Sequence, residues 1–141
     1  MTNTLLIFDL QGTLARSMRP PILNGSTTTL QQLSKTNTLA LFTGASRTET
    51  LNILKNMQIL PLFDLKNIIT KGQFPPKPNP SAIFWLLANT AANTTYYIGD
   101  TKKDYQTAKN ARIPFIYIGK QKLGITQINS LDQLLNVTIK L

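Results

Sequence analysis

Short apolar runs alternate along this chain with segments of helical periodicity, and that alternation sets the first expectation for its architecture. Leu5-Leu6-Ile7-Phe8 is a continuous apolar run of strand length, the pattern of a parallel strand buried on both faces. Leu39-Ala40-Leu41-Phe42 repeats it, as do Ile68-Ile69, Tyr96-Tyr97-Ile98 and Phe115-Ile116-Tyr117-Ile118. Helices fit between these runs. Ser26 can cap one that ends near Ser34, and Ser46 with Glu49 forms an S-x-x-E box ahead of Leu51, Ile53, Leu54 and Met57. Asn79 and Pro80 suit the N-cap and first helical position before Ile83, Phe84, Leu86 and Leu87. Thr101 and Asp104 open a fourth helix, and Ser130 with Gln133 a last one. The alternation predicts an α/β fold: a Rossmann-like three-layer sandwich with a parallel five-stranded sheet. Such sheets bind ligands beyond the carboxyl ends of their strands. No repeat, linker or low-complexity tract divides residues 1–141, so one domain is expected.

Composition narrows the chemistry by exclusion. Hydrophobic residues make up 42% of the chain and charged residues 15%, the latter well below the roughly one quarter usual for globular chains. The chain has no cysteine and no histidine, which removes thiol chemistry, disulfides, Ser-His and Cys-His nucleophiles and His-ligated zinc. A metal site here must use oxygen ligands, which suits a hard cation such as magnesium. No apolar run approaches the ~20 residues of a membrane span. The segment MTNTLLIFDL lacks a basic start and is interrupted by Asp9, unlike a signal peptide, so a cytoplasmic location is expected.

The net charge of +9 comes from a shortage of acids, six against fifteen Lys and Arg. Half of those acids, Asp9, Asp100 and Asp104, fall in the motifs below. Arg16, Arg19, Arg47, Lys71, Lys77, Lys102, Lys103, Lys120 and Lys122 all lie in loops following the predicted strands. They would rim the ligand edge and attract anions, either phosphorylated metabolites or nucleic acid.

Four segments carry candidate chemistry. Phe8-Asp9-Leu10-Gln11-Gly12-Thr13-Leu14 places Asp9 directly after a buried strand, where it can act as nucleophile, metal ligand or turn cap. Thr43-Gly44 follows the second strand and precedes a helix N-terminus, offering a hydroxyl and a free N–H to a phosphate. In Pro75-Pro76-Lys77-Pro78 the prolines stiffen the backbone around one lysine. Gly99-Asp100-Thr101-Lys102-Lys103-Asp104 sets two carboxylates one helical turn apart on the same face, suited to a magnesium site, to helix capping, or to both.

In this order and spacing the four segments resemble the haloacid dehalogenase superfamily, most of whose members are phosphatases, from Leu5 to about Gly119. Ile128-Asn129-Ser130-Leu131-Asp132 resembles that family's closing helix. The resemblance implies that Asp9 attacks phosphorus and forms an aspartyl-phosphate. It implies magnesium held by Asp9, the Gln11 carbonyl and Asp100, with Asp104 close by or behind them. Thr43 and Gly44 would bind phosphoryl oxygens, and Lys77 would neutralise charge.

The resemblance breaks at Gln11. Family phosphatases have a second aspartate there, which protonates the leaving group and activates water, whereas an amide cannot transfer protons near neutral pH. Losing that help costs about 10²–10⁴-fold in rate. The reading is therefore a Mg2+-dependent phosphohydrolase of a phosphorylated small molecule, slowed by Gln11 or suited to acyl phosphates. The alternatives are a weakly active or inactive phosphate-binding relative and a nucleic-acid-end phosphatase. Family members usually insert a cap domain, but Ala15 to Gly25 and Thr70 to Pro76 are too short to hold one. A capless site implies a large substrate or a second subunit covering it.

Overall fold

The computed structural model describes residues 3–121 and 124–136. In chain order its elements are β1 (Thr4–Phe8), β2 (Ala15–Met18), β3 (Pro21–Leu23), α1 (Thr27–Thr36), β4 (Asn37–Phe42), α2 (Arg47–Asn56), β5 (Ile68–Ile69), α3 (Ser81–Asn89), β6 (Thr94–Gly99), α4 (Lys102–Asn110), β7 (Phe115–Ile118) and β8 (Gln127–Ile128), with 3₁₀ turns at Leu60–Leu62, Leu65–Asn67 and Leu131–Gln133. The main sheet is parallel, in the order β5-β4-β1-β6-β7-β8.

β1 occupies the middle of the sheet because both of its faces are apolar. Leu6 and Phe8 point into one core with Leu30 and Leu33 of α1 and Ile53 and Leu54 of α2. Leu5 and Ile7 point into the other, with Ala82, Ile83 and Leu86 of α3 and Ala108 of α4. Alternate side chains thus feed opposite helical layers, giving the three-layer α/β sandwich that the sequence predicts. Phe8 is fully buried and pairs in register with Leu41 on one side and Ile98 on the other. The ends of β1, β4 and β6 therefore meet at one edge. From β1 the chain first builds outward through β4 and β5, then returns to the other side with β6, β7 and β8. Such a change of direction opens a crevice at the carboxyl ends of the strands.

The sheet has six strands where the sequence predicts five. β8 is only two residues long, one polar and one apolar, so neither run nor alternation marks it. Backbone pairing with β7 defines it instead, Tyr117 N–H donating to Thr126 O and Gly119 N–H to Ile128 O at 2.9 Å each. The segment from Ala15 to Gly25, too short for a domain, folds as the β2–β3 hairpin. The closing element begins as the Leu131–Gln133 turn and passes into α-helix at residues 134–136, and Lys122 of the predicted rim lies outside the described residues.

Helix starts follow the predicted caps closely. Ser26, Ser46 and Thr101 are the N-caps of α1, α2 and α4. α3 starts one residue later than predicted: Pro80 is the cap position, while the Asn79 carboxamide accepts from Ser81 N–H at 2.9 Å. Among the described residues no helix is long and apolar enough to cross a membrane.

Candidate active site

Asp9, Asp100 and Asp104 converge at the carboxyl ends of β1 and β6, each offering a carboxylate oxygen within 4.8 Å of the others. Backbone geometry brings Asp9 and Asp100 together. Asp9 N–H donates to Ile98 O at 3.1 Å, which extends the β1–β6 ladder by one residue. The chain then turns through Gly12 at φ +83°, and a Cβ there would collide with the Asp100 carboxylate. Only glycine adopts this conformation readily and leaves that space open. The buried Thr13 hydroxyl donates to Asp100 Oδ1 at 3.1 Å and fixes its orientation.

Lys77 reaches the cluster from the loop before α3. Its ammonium donates to Asp9 Oδ1 and to Asp104 Oδ1, each at 2.8 Å, and lies over the rings of Phe42 and Tyr97. Prolines at 75, 76 and 78 hold the loop that carries it. Asp104 is only 1% exposed and accepts at both oxygens. Oδ1 also receives the Tyr97 hydroxyl at 2.8 Å, while Oδ2 receives the Thr101 hydroxyl at 2.9 Å and the Asp100 and Thr101 N–H groups at 3.3 Å. Thr101 and Asp104 complete a reciprocal capping box. Asp104 is thus both helix cap and anchor for Lys77.

The electrostatics separate the three carboxylates. Burial opposes the ionisation of Asp104, but Lys77 and the hydrogen bonds from Lys77, Tyr97 and Thr101 outweigh it and hold its pKa below the usual carboxylate range. Burial pushes Asp9 up to about 7 despite the Lys77 ammonium. Burial also raises Asp100, against hydrogen bonds with Asp9 and Thr13. Three carboxylates face one ammonium: Asp9 and Asp104 share Lys77, Asp100 has no cation beside it, and Asp9 and Asp100 border the open cleft. That donor set of hard oxygens with excess negative charge fits a small divalent cation.

Beside these groups lies the loop after β4. Thr43 Oγ1 accepts the Ala45 N–H at 3.1 Å, which leaves the hydroxyl hydrogen available to a ligand. Among the described residues no acceptor takes the Gly44 N–H, and the space where a Gly44 side chain would sit is empty. Asp9, Gln11, Thr43, Gly44 and Asp100 all line one cleft of about 490 Å3. Lys77 lies behind Asp9 and Asp104 rather than on that cleft's wall.

No sequence expectation places Met18, Glu49 or Tyr97 at this site. Met18 of the β2–β3 hairpin and Glu49 of α2 also line the cleft, and Arg19 at the hairpin turn is paired with Glu49 at 3.1 Å. Glu49 therefore turns toward the hairpin, although Ser46 still caps Glu49 N–H at 3.2 Å. Tyr97 supports the ion pair from beneath. A tyrosine in a buried strand requires a hydrogen-bond partner, which was the available signal. Arg47 is not part of the open rim, since its guanidinium donates to Ile68 O at 2.8 Å and Leu65 O at 3.1 Å.

Residues 20–118 match the family model described as "Haloacid dehalogenase-like hydrolase". No curated protein matches the chain. Among solved structures, the core domain of a proposed phosphoglycolate phosphatase from Streptococcus pneumoniae is 26% identical, with TM-score 0.75, the match covering 100% of this chain and 98% of that one. A haloacid dehalogenase-superfamily hydrolase of subfamily IA, variant 1, from Geobacter sulfurreducens shares the fold at 18% identity and TM-score 0.73, over 85% of this chain and 58% of its own. A magnesium-bound hydrolase of the same superfamily from Bacillus subtilis does so at 16% identity and TM-score 0.71, over 83% and 56%. The chain thus spans somewhat more than half the length of the latter two.

Proposed function

Because the chain belongs to the haloacid dehalogenase-like hydrolases, we propose that it is a magnesium-dependent phosphohydrolase acting on a phosphorylated small molecule through Asp9. The observation that carries this reading is the position of Asp9. It directly follows the central strand, hydrogen-bonded to Lys77, in the same cleft as the Gly44 N–H, which has no acceptor among the described residues.

In the proposed reaction a carboxylate oxygen of Asp9 attacks phosphorus in line. The bond from phosphorus to the leaving oxygen breaks, and its electron pair departs with the leaving group. Thr43 Oγ1 and Gly44 N–H donate to phosphoryl oxygens, and Lys77 offsets the charge that accumulates around Asp9. Water then attacks the aspartyl-phosphate, orthophosphate leaves and the Asp9 carboxylate is regenerated. Asp9, the Gln11 carbonyl and Asp100 would hold magnesium, which supplies further positive charge at the phosphoryl group. Asp104 acts through Lys77, because both of its oxygens are already occupied.

Gln11 offers the leaving group no proton, so acyl phosphates, and phosphate esters with stable leaving anions, are the favoured substrates. Gln11 also supports a second reading, phosphate binding without turnover. Assay of the purified chain with magnesium on acetyl phosphate and a panel of phosphomonoesters, beside Asp9→Asn, separates the two. Turnover that Asp9→Asn abolishes supports the hydrolase. Magnesium-dependent phosphate binding with no turnover of any substrate sinks it in favour of the binding protein.

A further inference from the structure

A second pocket adjoins the proposed phosphate site on the β4–β5 side. Its volume is about 530 Å3, and it shares Thr43, Gly44 and Lys77 with the site itself. A phosphoryl group held by Thr43 and Gly44 therefore opens directly into it. Phe42, Phe74 and Pro76 give it apolar walls, and Phe74 packs on Trp85 with ring centroids 6.0 Å apart. The wall that carries Lys71 is fixed in place. Lys71 N–H donates to Ala45 O at 2.9 Å, and Gln73 Oε1 accepts from Thr70 N–H at 2.7 Å.

Lys71 and Lys103 reach this pocket from different elements, the loop after β5 and the first turn of α4. Neither ammonium has a carboxylate partner among the described residues. All six acids of the chain are otherwise engaged: Asp9 and Asp104 with Lys77, Asp100 with Thr13, Glu49 with Arg19, Asp64 with Lys66 and Asp132 with Ser26. Two unpaired ammoniums bordering an apolar slot suit a ligand with a flat apolar body and an anion of its own.

We infer that this pocket receives the leaving group, and that the substrate is an aryl phosphomonoester bearing a second anionic group held by Lys71 and Lys103. The inference rests on the phosphohydrolase reading and names its substrate class. Leaving-group chemistry supports it independently. A phenol ionises near pH 10, so its oxygen departs as the phenolate far more readily than an alkoxide and takes its proton from water afterwards. A site with Gln11 in place of an acid demands such a leaving group.

The test compares 4-carboxyphenyl phosphate with phenyl phosphate, by turnover with magnesium and by binding to Asp9→Asn. Trp85 is the only tryptophan of the chain, and through Phe74 its fluorescence reports on the pocket. The carboxylated ester is expected to have a kcat/KM at least about tenfold higher and to bind at least about tenfold more tightly. Lys71→Ala with Lys103→Ala should bring both ratios close to one. Turnover of both esters at equal kcat/KM, with equal binding, overturns the inference and leaves the phosphohydrolase reading standing. Tighter binding of the carboxylated ester that depends on both lysines, with no turnover of either, upholds the pocket and overturns the hydrolase.

Discussion

Lys77 Nζ lies 2.8 Å from Asp104 Oδ1, and the pair joins the proline-stiffened loop before α3 to the first turn of α4. The lysine side chain is 12% exposed and the carboxylate 1%, so neither has bulk water as an alternative partner. Removing one member of a buried pair strands the other. Lys77→Met is expected to destabilise the fold by about 3 kcal/mol, at the low end for a broken buried pair because Tyr97 and Thr101 still hydrogen-bond Asp104. Chemical denaturation at pH 7.5 measures this. A loss below ~0.5 kcal/mol would show that solvent screens the pair after all.

Gly12 offers a sharper test of how Asp100 is placed. A methyl at residue 12 would collide with the Asp100 carboxylate, and alanine would also have to adopt φ +83°. Gly12→Ala should cost somewhat more than about 1 kcal/mol in stability. Its larger effect should be on magnesium affinity, weakened at least about tenfold if Asp100 is displaced. Isothermal titration with magnesium reads this directly, and unchanged affinity would mean that Asp100 does not hold the ion.

The parts of this fold that were legible in sequence are those fixed by local physics. Five strands announced themselves as apolar runs because each is buried on at least one face, and three helices began at the Ser or Thr that caps them. The meeting of Asp9, Lys77, Asp100 and Asp104, with Thr43 beside them, was legible in so far as strand ends and the loops after them converge in this class of sheet. What escaped were pairings made by backbone alone or across long separations. β8 is held by its ladder to β7, not by a sequence pattern. Its spacing from Ser46 marks Glu49 as half of a capping box, but its carboxylate meets Arg19 thirty residues away on a hairpin with no strand-like pattern. The two roles of Asp104, left open by its spacing, are distinguished only by the atoms around each oxygen.

The raised pKa of Asp9 gives the apo protein a defined pH response. A carboxylic acid with a folded pKa of about 7 and an unfolded value of 3.8 stays protonated in the native state across that interval. The folded state then binds more protons than the unfolded one, so this group's contribution to stability declines as pH rises from about 4 to 7. A divalent cation that binds ionised Asp9 must displace its proton. Magnesium should therefore release protons on binding near pH 6 and raise the melting temperature more at pH 8 than at pH 5. Thermal unfolding at both pH values, with and without magnesium, checks this. In Asp9→Asn the part of this dependence that Asp9 contributes should be lost, leaving that of Asp100, whose pKa burial also raises.

In the proposed reaction Gln11 sets which leaving groups the site can expel. It lines the same cleft as Asp9, and its amide can orient a water or a leaving oxygen without moving a proton. Gln11→Asp restores a group able to do so. For alkyl phosphomonoesters, whose alkoxide leaving groups need protonation, the substitution should raise kcat/KM by about 10²-fold or more. For acetyl phosphate, whose leaving acetate needs no proton, the first step should change little. Any gain there should come from faster hydrolysis of the aspartyl-phosphate. The ratio of the two rates in native chain and variant is the measurement that matters, because it cancels changes in protein stability and magnesium affinity. An equal effect on both substrates would mean that proton transfer to the leaving group does not limit the proposed reaction, and the substrate preference drawn from Gln11 would fall with it.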